Sequence, residues 1–111
     1  MRAPFFLVST DNSDLWVFET LDDTIRSMEA IDVRNGEYIV FDAGGLQLEL
    51  SAVLPKFWDP CAVGAVVVGP NGEPRPDDLR RRLRTELGRR GFGVQDVDIH
   101  ELVACAVRHL K

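Results

Sequence analysis

Cysteine and lysine are both scarce in this chain. The 111 residues contain two cysteines, Cys61 and Cys105, where a small secreted domain held by disulfides would carry four or more. The count points to a reducing compartment and to a fold held by its core. Lysine occurs only at 56 and 111, against eleven arginines. No apolar run approaches the roughly 18 to 20 residues that span a bilayer. The opening MRAPFFLVSTDNSD turns acidic after about five apolar residues, short of the roughly 7 to 15 of a signal-peptide core, with no small-residue cleavage site behind it. A cytoplasmic protein without membrane contact is expected. A phosphate-binding glycine loop, a dinucleotide fingerprint and a serine elbow are also missing, so no cofactor is expected.

What is present suits a soluble globular chain, with 45% hydrophobic and 28% charged residues. The length accommodates one hydrophobic core, hence a single domain over 1–111. The net charge of -5 is unevenly spread. Residues 1–60 hold four basic and eleven acidic side chains, a balance of -7, and residues 61–111 hold nine and seven, a balance of +2. Asymmetry of this kind bears on partners and steering rather than on fold.

Local patterning predicts the elements. PFFLVS (4–9) and LWVF (15–18) are short β-prone runs around TDNSD, whose side chains favour turns, so a hairpin is expected. Thr20 followed by Asp23 has the spacing of a capped helix start, and Leu21, Ile25 and Met28 recur at helical spacing, which predicts one helix over about 20–31. EYIVFD (37–42) reads as a strand. In LQLELSA (46–52), Leu46, Leu48 and Leu50 alternate with Gln47, Glu49 and Ser51, so one face is packed and the other wet. Gly44 and Gly45 can supply the positive φ of a tight hairpin loop between these strands. PKFWDP (55–60) reads as irregular. CAVGAVVVG (61–69) is apolar without alternation, the pattern of a central strand, and PNGEPRPDD is a turn-rich connector. Pro76 opens a helix whose stripe is Leu79, Leu83 and Leu87 and whose stop is Gly91. A last helix starts at Asp98 with Glu101 as a capping box, and Val97 and Leu102 are spaced as a staple. The expectation is an α+β fold in the order β-β-α-β-β-β-α-α. Its sheet of about five strands should be mostly antiparallel, with helices on one face.

Three candidate chemistries compete. The helix at 77–90 carries Arg80, Arg81, Arg82, Arg84, Arg89 and Arg90, and a nucleic-acid regulator could use them on phosphates. The acidic remainder would repel that backbone, and no aromatic interleaves to stack on bases. Aspartates at the helix start and arginines at its end suit the helix dipole, so a solvated, salt-bridged face is the simpler reading. The arginines could also meet an acidic protein surface, such as the N-terminal half of a second copy in a homodimer. Cys105 and His109, with Glu101 one turn before, resemble a thiol-hydrolase row, but a helix interior near its C-terminus does not activate a thiol. Metal is not expected: DNSD lacks a calcium loop's glycine and distal glutamate, and His100 and His109 lie on opposite sides of a helix. Third, Asp11, Asp14, Glu19, Asp22, Asp23, Asp32 and Glu37 fall in the first loop, the first helix and its exit. Gathered together, they would attract a basic protein. Trp16 could anchor such a contact, although a Trp in a short strand is usually core.

DLWVFETLDDTIRSMEAIDVRNGEYIVFDAGGLQLEL (14–50) resembles small acidic cytosolic immunity proteins of bacterial polymorphic toxin systems. A strand ending in an aromatic leads into a capped acidic helix, an ID exit and a GEY..FD..G..L.L hairpin. The resemblance implies stoichiometric inhibition of a cognate toxin domain, often a nuclease. It carries over no binding-residue motif and covers nothing after Leu50. Independently of it, no set of residues has both the spacing and the environment for chemistry, so no enzymatic activity is expected.

Overall fold

The computed structural model describes residues 1–54, 64–93 and 97–110. Among the described residues the fold is α+β, with four helices and a five-stranded antiparallel sheet in the order β2 (Leu15–Phe18), β1 (Phe5–Ser9), β3 (Tyr38–Phe41), β4 (Leu46–Val53), β5 (Ala65–Pro74). Strand β1 pairs on one side with β2, Leu7 opposite Trp16, and on the other with β3, Leu7 opposite Val40. Strand β4 follows β3, and β5 closes the sheet. The DNSD segment is a turn: the Asp14 amide donates to Asn12 Oδ1 at 3.0 Å, and Ser13 takes φ 61°. The β3–β4 loop puts only Gly45 at positive φ, 88°. Asp42, 5% exposed, caps this loop by accepting from the Gly44 and Leu46 amides, both at 2.9 Å.

Helices cover both faces of the sheet, where a single covered face was expected. Phe6, Val8, Leu15 and Phe41 pack under the long helices α3 (Pro76–Arg89) and α4 (Ile99–Leu110). Phe5, Leu7, Val40 and Leu48 form a second core with Met28, beside Leu21 and Val33 of the short helices α1 (Leu21–Arg26) and α2 (Ala30–Arg34). The reason lies in β1 and β3. FFLV and YIVF are apolar at every position, so this central pair needs cover on both sides. Strand β4 alternates, and its leucines pack on the α1/α2 side while Glu49 and Ser51 stay exposed.

Two expectations are corrected. The helix over 20–31 is interrupted. Thr20 caps it as read, with Oγ1 accepting from the Asp23 amide at 3.1 Å. The Ser27 hydroxyl then bonds back to the Asp23 carbonyl at 2.9 Å, and Glu29 adopts extended backbone as the N-cap of α2. Such back-bonding competes with helix continuation, and the break lets Met28 enter the second core. Strand β5 lies at an edge instead of the centre: Val66 and Val68 pack inward while Val67 is 44% exposed. It also continues through the supposed connector to Pro74, opposite Leu46. A register shift between Gln47 and Glu49 accommodates the turn-forming residues, and Glu49 Oε2 accepts from the Asn71 amide at 3.0 Å in place of a ladder carbonyl. Prolines are tolerated here because an edge strand has no neighbour awaiting their missing N–H. Residues 55–63, which include the expected irregular PKFWDP and the start of the 61–69 strand, lie outside the described residues.

Candidate protein-binding site

Helix α3 disposes of its arginines within the chain. Leu79, Leu83 and Leu87 are fully buried, which leaves the charged side to solvent. Arg80 pairs with Asp77 at 3.4 Å and donates to the Val97 carbonyl at 3.1 Å, tying α3 to the entry of α4. Arg81 and Arg82 converge on Asp78. Partial burial pushes the Asp78 carboxyl up, yet hydrogen bonds and charge from those two guanidiniums outweigh it and hold it below its ordinary 3.8. At the far end Arg90 and Arg89 reach Glu86 at 2.9 and 3.2 Å, and Arg89 reaches Asp14 at 3.4 Å. Glu86, 4% exposed, is a buried acid that the leucine stripe did not advertise. It lies just off the stripe, where the arginines of the last turn neutralise it.

Cys105 and His109 each pack against neighbouring residues. Cys105 is half-buried against the α3/α4 core. The His109 ring stacks on Phe92, with centroids 4.1 Å apart and planes 16° off parallel. Phe92 is placed by the end of α3: its amide donates to Leu87 O at 2.8 Å and that of Gly91 to Gly88 O at 3.1 Å, with Gly91 at φ 88°. This is a Schellman closure, which needs the left-handed glycine. Among the described residues no three His, Cys, Asp or Glu side chains are placed to hold a metal ion. Cys61 lies outside the described residues.

The seven acidic candidates divide. Asp11, Asp32 and Glu37 come together, joined by Glu29, which was not among them. Thr10 makes this happen, its amide donating to Glu37 O at 3.0 Å and its hydroxyl to Gly36 O at 2.9 Å. That stitch brings the β1–β2 loop against the α2–β3 loop. The Glu37 carboxyl is raised above its ordinary 4.5, first by its hydrogen bond with Asp32, then by slight burial and the charges of Asp32 and Asp11. Asp14 instead turns toward α3 and Arg89. Glu19 lies beside Ala3, Pro4, Val17 and Val107, near α4. Asp22 and Asp23 are exposed in the first turn of α1, and Asp23 stands 4.0 Å from Arg26.

Tyr38 links the acidic cluster to a groove. Its hydroxyl is raised by burial first and then by Asp32, Glu37, Glu29 and Asp11. It also lines a cavity of about 220 Å³ with Leu7, Trp16, Phe18 and Ser27. The register explains this: Trp16 sits opposite Leu7, Phe18 opposite Phe5 and Tyr38 opposite Ser9, so these aromatics share the α1/α2 side of the sheet. Trp16 is 42% exposed, against its reading as core, because β2 is an edge strand. Alternation within LWVF could have put Trp16 and Phe18 on one side, but not beside Tyr38.

Comparison with family models, curated proteins and solved structures found no significant match to this chain. No helix among the described residues is long and apolar enough to cross a membrane.

Proposed function

We propose that this chain is an immunity-type binding protein of the cytoplasm, which neutralises a basic toxin domain by stoichiometric contact and needs neither catalysis nor a cofactor. The observation that carries this reading is the gathering of Asp11, Glu29, Asp32 and Glu37 around Tyr38, next to an exposed tryptophan. Crowded carboxylates raise the free energy of the unbound face, and a cationic partner relieves it. Exposed aromatics beside such a cluster are typical anchors of protein interfaces. The resemblance of residues 14–50 to immunity proteins supports the same class. The engagement of the α3 arginines with the chain's own acids supports it over a nucleic-acid regulator.

The test is affinity capture from the native cell followed by co-expression of the captured protein. A toxic partner whose lethality this chain abolishes, with Cys105→Ser equally protective, is the expected result. Loss of protection by Cys105→Ser with the fold intact would replace this reading with a thiol enzyme.

A further inference from the structure

We propose that the groove walled by Leu7, Trp16, Phe18, Ser27 and Tyr38 is the anchor pocket for one arginine side chain of a basic partner segment. The inference rests on the binding reading above and names the contact. At about 220 Å³ the groove is smaller than the roughly 300–1,000 Å³ of cofactor and drug-sized sites, and suits a single long side chain. Its lining explains the choice of side chain. Aromatic surfaces from Trp16, Phe18 and Tyr38 accept the face of a planar cation, and guanidinium stacks there better than ammonium. Leu7, 2% exposed, gives the aliphatic stem an apolar floor. Asp32 and Glu37 do not line the groove, but their charges act on the Tyr38 hydroxyl that does, so the Tyr38 end favours a cation. The chain's own α3 arginines cannot fill the groove, because α3 packs on the opposite side of the sheet.

The probes are two capped tripeptides, acetyl-Ala-Arg-Ala-amide and its citrulline analogue, which keeps the shape and loses the charge. They are titrated into the ¹⁵N-labelled full chain and followed by NMR. The arginine peptide should move the Trp16 indole and the Ser27 and Tyr38 amides, with citrulline at least fivefold weaker. Trp16→Leu, at an exposed position, should abolish the response with the spectrum otherwise intact, and Glu37→Gln should weaken it severalfold. Equal responses to both peptides, or shifts confined to Glu49 and Glu73, would overturn the proposal. So would a dimer in sedimentation velocity that Trp16→Leu dissociates, since the occupant would then be a second copy. With a purified partner the two levels separate. If Trp16→Leu leaves affinity unchanged while Asp32→Lys with Glu37→Lys slows association, the groove assignment fails and the acidic-face reading stands. If neither variant has an effect, the acidic-face reading itself fails.

Discussion

Asp42 shows how one short acid can hold a loop. Its Oδ1 accepts from the Gly44 and Leu46 amides at 2.9 Å, and its Oδ2 from the Arg2 amide at 3.2 Å. Asp42→Ala strands these donors in a partly buried site, so a loss of roughly 2–4 kcal/mol is expected from urea unfolding. Asp42→Asn keeps one acceptor oxygen and should cost less. Glu37 behaves in the opposite sense. Its folded pKa lies above the ordinary 4.5, so between that raised value and 4.5 the folded state holds the proton more tightly than the unfolded chain. Stability from this group therefore falls as pH rises through the window. Glu37→Gln should unfold at higher urea than the parent near pH 7, and the difference should vanish well below pH 4.5. An equal gain at both pH values would show that repulsion among these acids is not the cause. Asp78 has the reverse sign: its contribution is present above 3.8 and is lost as pH falls through its lowered folded pKa.

Turns and caps set where each element begins and ends. Gly45 and Gly36 both take positive φ, at 88° and 73°, in very different surroundings. A Cβ on Gly45 would lie 2.5 Å from Pro76 Cα, where α3 begins, and the Gly45 carbonyl accepts from the Arg75 amide at 2.8 Å. A Cβ on Gly36 meets nothing within 4 Å. Gly36→Ala should cost only the left-handed conformational penalty, roughly 1–2 kcal/mol. Gly45→Ala adds a backbone clash and should cost clearly more, with the difference read from thermal midpoints. Equal losses would mean that the β3–β4 loop and α3 are not in register contact. Leu83, fully buried at the centre of the α3 stripe, should lose about 2–5 kcal/mol as Leu83→Ala. A loss below 1 kcal/mol would show that α3 does not pack as described.

Across the whole molecule, the -7 of residues 1–60 does not become one acidic surface. The fold divides it: Asp14 is consumed by Arg89 on the α3 side, while Asp11, Glu29, Asp32 and Glu37 collect around Tyr38. Charge steering should therefore act through that cluster. Asp32→Lys with Glu37→Lys should slow association with a basic partner about tenfold or more at low salt and flatten its salt dependence, measured by stopped flow. Reversal at Asp22 and Asp23, on the rim of α1, should act less. If the Asp22/Asp23 pair dominated, the contact would lie over α1 instead of at Tyr38.

Interactions that close within a few residues were legible in the sequence. The Thr20 cap, the Pro76 start and Gly91 stop of α3, the alternation of β4 and the Asp98 cap, whose Oδ1 accepts from the Glu101 amide at 2.9 Å, each follow from spacing alone. Local hydrogen bonds and a fixed side-chain period determine them before any partner segment is chosen. Tertiary structure decided the rest. An unbroken apolar run looks the same in β1, which is central, and in β5, which is an edge, because position depends on which distant strands pair. The helix over 20–31 breaks at Ser27, and where Met28 then packs depends on the sheet beneath it. Trp16 and Tyr38 came to line one groove only through the antiparallel register of β1 with both β2 and β3, and the Thr10 stitch across the loops set Glu37 near Asp11. A face assembled from three strands is set by that long-range register, which no single stretch of the chain contains.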